Sequence, residues 1–315
     1  MKLFKNLFAF DESKKQMDEE ILFHYTNEVG LQGILQNKCL WATDASATND
    51  KSEMVLGEKL FEKMILEWLS KESRSCLGFS NLIYTTEKTL ENYFKGIFLA
   101  CFATTSEGDV LKNGLLSQWR EFGSYAIKFK KDVLLKELKN WRQEEGLIAD
   151  LDRNVRYYSE SDFDYEEFKK DDSLKINEFK EFMSTDEWIK IEKKLHQKES
   201  PSKDEDNKIV EAIVLALTPR FFVKHKGFRE ERERRIVAMV PGSSKKRLHF
   251  HAPNKSHIKL FEEDPAIIEN AVKEIIIGPM GDQKAAKNWV ENMLREFGYR
   301  DDIKVKCSEI PFIKS

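Results

Sequence analysis

The sequence predicts an α+β fold for this chain of 315 residues. Short apolar segments of strand length are interrupted irregularly by longer segments whose apolar residues recur at helical spacing, without regular strand–helix–strand units. The hydrophobic fraction of 41% is enough for a core, and the charged fraction of 34% predicts a highly charged surface around it.

The balance of charges and the spacing of the cysteines argue against some classes of protein. Lys and Arg number 52 against 55 Asp and Glu, which argues against nucleic-acid binding through overall charge but allows a local basic patch. The four cysteines lie far apart and form no C-x-x-C pair, so we expect reduced thiols in a cytoplasmic protein. A membrane-spanning helix needs about 18 consecutive apolar residues, and no segment of the sequence approaches that length. Residues 1–20 are expected to form a short tail.

The first elements follow from apolar periodicity and capping residues. Ile21 to Tyr25 predicts a strand, and Thr26 or Asn27 can cap the helix that follows. A second strand is expected at Leu40 to Thr43, and a long amphipathic helix from Asp50 through Trp68. The buried positions of the first helix should be Val29, Leu31, Ile34 and Leu35.

Two strands flank a short helix in the middle of the chain. Gly96 to Thr105 is an apolar run that should be buried on both faces, and Tyr125 to Phe129 is a second strand. Leu115 to Phe122 should form a short helix, with the two strands in a hairpin-like or cleft arrangement around it. An amphipathic helix is expected from Lys131 to about Glu145.

The segment from residue 159 to residue 207 differs in composition, because it is dense in Asp, Glu and Lys with scattered aromatic residues. We expect a charged helical insertion on the surface of a single domain spanning residues 21–315. Glu199 to Asn207 should be a flexible link. The remaining elements are expected to be helices at Ile209 to Phe222 and Asp282 to Phe297, the latter ended by Gly298, and strands at Arg234 to Val240, Glu274 to Gly278 and Ile303 to Ile310.

Three groups of polar residues are candidates for chemistry, and the first follows the first strand. His24 can donate to a ribose hydroxyl and Tyr25 can stack on a flat ring, with Thr26 beside them. Asn49 and Asp50 follow later in the chain. The alternative is a half-buried His24 with satisfied hydrogen bonds, and a simple helix cap at Asn49 and Asp50.

The second group lies on the short helix after the buried strand, whose polar end includes Thr104. Ser117 and Gln118 begin the group, and Arg120 can face a cleft and hold a pyrophosphate with two parallel hydrogen bonds. The alternative is a surface Arg120 on an amphipathic helix whose Trp119 packs inward.

The third group lies in the run GFREERERRIVAMV. In a strand, Glu231, Glu233 and Arg235 would point to one face and Arg232 and Arg234 to the other. A pair of carboxylates beside a cleft can stabilise a positively charged sugar transition state. The alternative is a solvated ladder of self-paired charges.

The sequence gives little support for a metal site. His249 and His251 occupy alternate positions of a possible strand and His257 is nearby, but no acidic residue has a convincing ligand spacing. Phosphate-binding and hydrolase glycine motifs are absent from the sequence.

Taken together, several segments resemble a widespread bacterial group of domains of unknown function that is placed with the ADP-ribosyltransferase-like fold. The resemblance covers nearly the whole chain except the charged insertion and the tail, and its specificity lies in the order and spacing of the segments. They are FHYTNEVGLQGILQNKCLWAT with the following ND and Glu53, ACF at Ala100 to Phe102, LSQWREFG, YAIKF, KHKGFREERERRIV, EIIIGP and the closing SEIPF.

The resemblance implies a split, mixed β-sheet around a cleft that binds NAD, with no metal. His24, Tyr25 and Thr26 would contact the ribose and nicotinamide, and the end of the Thr104 strand with the Arg120 helix would line the rest of the cleft. The catalytic set would be Glu233, Glu231 and Arg120, with Glu233 stabilising the positively charged ribose and Glu231 orienting the acceptor or Glu233 itself. Which of the two carboxylates occupies the catalytic position stays open at this point. One departure from the family is Arg234, which stands where an aromatic residue is frequent. The implied NAD-binding residues are His24, Tyr25, Thr26, Asn49, Asp50, Thr104, Ser117, Gln118 and Arg235.

The leading hypothesis is therefore a mono-ADP-ribosyltransferase that moves ADP-ribose from NAD to a nucleic acid or protein, in a bacterial toxin or antiphage effector with a neutralising or activating partner. A variant is an NAD glycohydrolase, in which water replaces the acceptor. A rival hypothesis is a non-catalytic module that binds a nucleotide or nucleic acid through a basic strip. A third is an adaptor that docks a partner through the charged insertion. The strip would consist of Lys224, Lys226, Arg229, Arg232, Arg234 and Arg235.

Overall fold

The computed structural model describes residues 21–47, 51–71, 94–136, 148–160, 165–171, 174–197, 199–242, 244, 247–252 and 255–311. The predicted tail at residues 1–20 and the candidate site residues Asn49 and Asp50 lie outside these ranges. Within them, no helix is long and apolar enough to cross a membrane.

The described residues form an α+β fold, as the sequence predicts. The strands are β1 (Ile21–Thr26), β2 (Leu40–Asp44), β3 (Phe94–Thr104), β4 (Tyr125–Lys130), β5 (Ile148–Asn154), β6 (Arg156–Tyr158), β7 (Val223–His225), β8 (Glu233–Pro241), β9 (His249–Ala252), β10 (Lys255–Leu260), β11 (Val272–Ile277) and β12 (Lys304–Cys307).

Helices occur between most of these strands. They are α1 (Glu28–Asn37), α2 (Lys51–Lys71), α3 (Gly108–Asn113), α4 (Leu116–Phe122), α5 (Tyr165–Lys170), α6 (Ile176–Met183), α7 (Asp186–His196), α8 (Lys203–Phe222), α9 (Pro265–Ala271) and α10 (Gln283–Glu296). Residues 131–136 are also helical, and 3₁₀ turns occur at Ala45–Ala47 and Lys226–Glu231.

The larger sheet is mixed and mostly antiparallel, and β3 is its branch point. One edge of β3 pairs with β8, which pairs in turn with β5. The other edge pairs with two different strands, with β2 at Phe98 and Leu99 and with β1 at Ala103 and Thr104. One branch continues from β1 to β4, β11 and β12, and the other from β2 to β10 and β9. In the described part of the sheet, the edge of β3 between these two pairings therefore faces a gap.

The expected hairpin-like arrangement of β3 and β4 is wrong. β1 lies between them and pairs antiparallel with both, in register from Ile21 opposite Lys130 to Thr26 opposite Tyr125 on the β4 side. Two apolar strands that follow each other in sequence favour direct pairing, but β1 is equally apolar and takes the central place. The prediction that β3 is buried on both faces is confirmed from Phe98 to Ala103 except at Cys101, which is exposed, whereas Gly96, Ile97 and Thr104 are half-buried.

The β3–β8 part of the sheet separates two hydrophobic cores. Along β8, Ile236 and Ala238 pack into the first core, while Val237 and Met239 pack into the second. The alternation follows from the two-residue period of a strand. The first core also contains apolar residues of α1 and α10, and the second those of α2 and α8.

Helix α1 begins where the sequence predicts. The side chain of Asn27 accepts a hydrogen bond from the backbone N–H of Gly30 at 2.9 Å, as an N-cap residue should. Its buried residues are Leu31, Ile34 and Leu35, whereas Val29 is 80% exposed and does not belong to the buried face.

The charged segment is helical in α5, α6 and α7, but its aromatic residues are not surface features. Phe168, Phe179 and Trp188 are buried in the second core. The predicted flexible link is wrong from Ser202 onward, because Ser202 caps α8: its backbone N–H donates to the Glu205 carboxylate at 2.8 Å and its hydroxyl accepts from the Glu205 N–H. The acidic residues that suggested a link occupy the first turn of α8, where the helix dipole favours them.

Candidate functional site

A cavity of about 430 Å³ opens at the gap in the sheet. This volume lies within the range of about 300–1,000 Å³ that is usual for small-molecule sites. Both branches contribute to its wall, as do the end of β8 and the turn that precedes it. The residues that line it and enter the argument below are His24, Tyr25, Trp41, Cys101, Gln118, Phe122, Lys224, Glu231, Glu233, Arg235 and His257.

A buried ion pair occupies one wall of this cavity. Arg235 donates from Nε to Glu233 Oε1 at 2.7 Å and from a terminal nitrogen to Glu233 Oε2 at 2.8 Å. A further guanidinium N–H donates to the carbonyl oxygen of Phe221 at 3.0 Å. Because Glu233 and Arg235 are two residues apart on β8, they share a face of the strand, as the sequence predicts. The geometry fixes both side chains.

Lys224 joins a second carboxylate to this pair. Its ammonium lies 2.6 Å from Glu231 Oε2 and 3.5 Å from Glu233 Oε2. The two carboxylates therefore share one cation and lie in the same cavity wall. The side chain of Glu231 is 18% exposed against 9% for that of Glu233, so Glu231 is the more accessible of the two.

The prediction that Glu231 lies on the same strand as Glu233 is wrong. Glu231 ends the 3₁₀ turn at Lys226–Glu231, and Arg232 then adopts a left-handed conformation with φ of 48° before β8 begins. This break in the strand ends the simple alternation. Arg232 donates to Thr105 and pairs with Glu107, and Arg234 donates to Asn154 on the other face of β8.

The electrostatics of the cluster keep Glu233 ionised. Burial alone would raise the pKa of the Glu233 carboxyl, but the charge and hydrogen bonds of Arg235, with the nearby charge of Lys224, hold that pKa below its usual range. The carboxylate thus remains negative in the wall of the cavity. The backbone N–H of Glu233 donates to the hydroxyl of Tyr157 at 2.8 Å, which further fixes the start of β8.

His24 is positioned by the gap in the sheet. Its Nδ1 donates to the carbonyl oxygen of Cys101 at 3.1 Å, and Cys101 lies on the part of the β3 edge between the β1 and β2 pairings. Burial lowers the pKa of the His24 imidazole, and the hydrogen bond to Cys101 opposes part of that shift. The predicted candidate His24 is thus a wall residue of the cavity, with one ring nitrogen already engaged.

Tyr25 is held by α4 and by the loop before it. Its hydroxyl accepts a hydrogen bond from the backbone N–H of Leu115 at 2.8 Å, and its ring meets Trp119 edge-on with centroids 4.7 Å apart. The ring is buried, and burial raises the pKa of its hydroxyl. Trp119 packs inward, as the alternative interpretation of its helix expects.

Two glycines make room for Trp119. A Cβ atom on Gly114 would lie 2.5 Å from the indole ring, and one on Gly278 would lie 2.7 Å from it. Gly114 also has φ of 78°, which only glycine adopts easily. The position of Trp119, and through it that of Tyr25, therefore depends on the lack of side chains at these two sites.

The structure brings only part of the predicted set to the cavity. His24, Tyr25, Gln118, Glu231, Glu233 and Arg235 line it. Thr26, Thr104, Ser117 and Arg120 are not among its lining residues, and Arg120 is exposed at the end of α4.

Sequence reasoning missed several wall residues. Lys224 was assigned only to a basic strip, and Trp41, Cys101, Phe122 and His257 were not proposed for the site. Lys224 lies on the short β7 and stands seven residues before Glu231 in the sequence. This short spacing is the signal that could have indicated its contact with the carboxylates. For Trp41 and His257 the signal is visible only once β2 and β10 are known to be neighbours.

Three of the six residues of the predicted basic strip form ion pairs with carboxylates among the described residues. Lys224 and Arg235 pair with Glu231 and Glu233, and Arg232 pairs with Glu107. Such pairing reduces the positive charge that phosphate binding along this strip would use. Groups of three or more His, Cys, Asp or Glu side chains that could hold a metal ion are not found in the described part of the chain.

Comparison with known proteins leaves the resemblance seen in the sequence as a prediction. No protein-family model, curated protein or solved structure matches this chain.

Proposed function

We propose that this chain is a mono-ADP-ribosyltransferase that uses NAD as its co-substrate and has an ADP-ribosyltransferase-like fold. The observation that carries the proposal is the pair of carboxylates, Glu231 and Glu233, that share Lys224 in the wall of a cavity where the sheet divides. The sequence resemblance supports the same function, because its Glu-x-Glu segment supplies both carboxylates.

The chemistry needs a stable negative charge beside a sugar. In the transfer, the bond between ribose C1′ and the nicotinamide nitrogen breaks, and its electron pair leaves with nicotinamide. Positive charge then develops on the ribose, and a fixed carboxylate in a site of low dielectric constant stabilises it. The lowered pKa of Glu233 supports this role, since the residue remains ionised when the site is closed to water.

The remaining residues fit binding and acceptor attack. Glu231, the more accessible carboxylate, is assigned to contact with the acceptor, whose nucleophilic atom bonds to C1′ while its proton passes to a base or to water. Gln118 can donate to ribose hydroxyls or to the amide of nicotinamide. Because Nδ1 of His24 donates to Cys101 and burial favours the neutral ring, Nε2 of His24 can accept a hydrogen bond from a ribose hydroxyl. The apolar wall formed by Tyr25 and Phe122 suits a flat ring.

The test is nicotinamide release from NAD by the purified chain, with and without cell lysate as a source of acceptor. We expect release that depends on lysate, and a loss of about 100-fold or more in Glu233→Gln, because a fixed charge-stabilising group is removed. Glu274→Gln is the matched control, since Glu274 is also a buried carboxylate with two cationic partners but does not line the cavity.

Glu231→Gln provides a second variant for the case in which Glu233→Gln fails to fold. It should retain the fold, measured by circular dichroism, and still lose transfer. Absence of nicotinamide release by the folded wild-type chain in every lysate tested would overturn the proposal. Release that is independent of lysate would replace it with the glycohydrolase variant.

A further inference from the structure

The branch of the sheet formed by β2, β10 and β9 carries an unusual sequence. Residues 243–261 contain five Lys or Arg and three His residues but no Asp or Glu, in a chain whose net charge is -3. This run is separate from the predicted basic strip around Glu233.

Strand register places one face of this branch outside the core. Trp41 on β2 lies opposite Lys259 on β10, and His257 lies opposite both Thr43 on β2 and His249 on β9. Residues directly opposite each other in neighbouring strands share a face. The intervening residues Ala42, Ile258 and Leu260 belong to the first hydrophobic core. The face with Trp41 is therefore the one turned away from that core.

Three aromatic rings on this face form a stacked row. The rings of Trp41 and His257 are nearly parallel at 25°, with centroids 4.2 Å apart. His257 stacks in turn on His249 at 5.3 Å and 26°. Among the described residues, Trp41 lies at one end of the row and is 40% exposed, whereas His257 in the middle is buried. A further flat ring added at the Trp41 end would continue the row.

Basic side chains lie beside the row. Trp41, His257 and His249 line a second, open groove together with Arg247, Phe250 and Lys259. Arg247 is exposed. Lys259 is paired with Glu262 at 3.1 Å, and such a partly exposed pair contributes little to stability, so a phosphate can replace the carboxylate.

The groove and the cavity share a wall, because Trp41 and His257 line both. An aromatic platform flanked by cations is the arrangement with which proteins bind unpaired bases and the adjoining phosphates. We propose that this groove binds single-stranded nucleic acid, with a base stacked at Trp41 and a phosphate at Arg247. A second step rests on the proposed transferase function. In that step the bound strand is the acceptor, and the nucleotide next to the stacked base lies at the mouth of the cavity.

A protein partner is the weaker alternative for this surface. Its exposed character comes from rings and cations rather than from a continuous aliphatic patch, and the side chains opposite the core are Trp, Thr, His and Lys. Charge complementarity therefore favours a polyanion with flat rings. The net negative charge of the whole chain also restricts such binding to this local patch.

The experiment measures fluorescence anisotropy of labelled DNA and RNA oligonucleotides of about 12 nucleotides, a length near the upper range of single-strand site sizes, with the full chain and no NAD. Trp41→Ala should weaken binding by about 5- to 150-fold, the loss expected for one stacked base, and Trp41→Phe should retain most of the affinity. Arg247→Ala should reduce the slope of log affinity against log salt by about 0.7, the contribution of one phosphate on a single strand.

Matched controls separate a specific effect from general destabilisation. Leu66→Ala removes an apolar side chain with the same 40% exposure on α2, and Arg295→Ala removes an exposed arginine on α10, so both should bind as the wild type does. Thermal melting of each variant verifies folding. The binding assay is repeated with Glu233→Gln, so that failure of catalysis and failure of nucleic-acid binding remain distinguishable.

The outcomes decide the proposal. The proposal is supported if Trp41→Ala and Arg247→Ala weaken oligonucleotide binding and the control variants do not. No binding at about 50 mM salt, or equal loss in the control variants, overturns it. Mononucleotide or NAD binding at Trp41 without oligonucleotide binding also overturns it, because the stacked base would then belong to NAD.

Discussion

Two clusters of buried charge in this molecule resemble each other in composition but differ in position. In the first, Glu233 lies between Arg235 and Lys224 in the cavity wall, with Glu231 attached to Lys224. In the second, Glu274 on β11 lies between Lys128 on β4 and Lys306 on β12, each ammonium 2.5 Å from one carboxylate oxygen.

The second cluster shows that a buried carboxylate with two cations is not in itself a mark of function. Lys128 also lies 5.3 Å from the centroid of the Phe23 ring, within the body of the sheet, and none of the cluster's three members lines the cavity. Burial would raise the pKa of Glu274, but Lys128 and Lys306 hold it below its usual range, as in the first cluster. The distinguishing features of the Glu233 cluster are its access to a cavity and its additional carboxylate.

The largest expected effect is on stability, and it should be the same for both clusters. Glu233→Gln leaves buried Arg235, and Glu274→Gln leaves buried Lys128, without its carboxylate, which typically costs about 3–5 kcal/mol. Adding Arg235→Met to Glu233→Gln should recover part of the loss, since the charge left behind is removed as well. Urea denaturation of the single and double variants measures these terms. A loss below about 1 kcal/mol in Glu233→Gln alone would show that the Arg235 pair is weak.

A smaller effect should distinguish the second cation of each cluster. The side chain of Lys224 is 7% exposed and serves two carboxylates, so Lys224→Met should cost about 1.5–3 kcal/mol. The side chain of Lys306 is 49% exposed, and Lys306→Met should cost only about 0–1 kcal/mol because water screens its pair with Glu274. Equal losses of unfolding free energy in the two variants would contradict this difference in burial.

The smallest effect is a pH dependence of the free energy of unfolding near neutrality, to which His24 in the cavity wall should contribute. Burial lowers the pKa of His24 from its ordinary value of 6.5, so the unfolded chain binds the proton more readily. Stability is then complete above pH 6.5 and is lost as the pH falls below it, with a slope of at most about 1.4 kcal/mol per pH unit. His24→Asn should flatten the unfolding free energy between pH 6.5 and 5 in a denaturation series. For Glu233 and Glu274 the corresponding loss begins only below their ordinary value of 4.5.

The sequence predicts local structure better than it predicts neighbours. Periodicity and capping identify the strand at Ile21–Thr26 and the helix capped by Asn27, because these signals come from adjacent residues. The place of β1 between β3 and β4 depends on contacts about 80 to 110 residues apart, which no local pattern contains. The flexible link was wrong because acidic residues of a helical first turn have the composition of a loop, and the Ser202–Glu205 box was the available signal.

The candidate site likewise contains residues that the sequence could place and residues that it could not. Glu233 and Arg235 could be placed on one face of a strand because a two-residue spacing fixes it. Glu231 could not, because the left-handed residue Arg232 interrupts the strand and no glycine marks the position. The cation between the two carboxylates, Lys224, comes from another strand, and the Trp41–His257 stack requires the pairing of β2 with β10.

The two glycines around Trp119 have a consequence for how this protein can diversify. Both would place a Cβ atom within 3 Å of the indole, although neither carries any chemistry. A lineage that altered its acceptor could exchange exposed side chains at the rim with little effect on the fold. It could not change Gly114 or Gly278 without moving the wall on which Tyr25 rests. The close packing of Gly114 and Gly278 against Trp119 therefore restricts which substitutions the cavity can accept, just as the buried charge of Glu233 does.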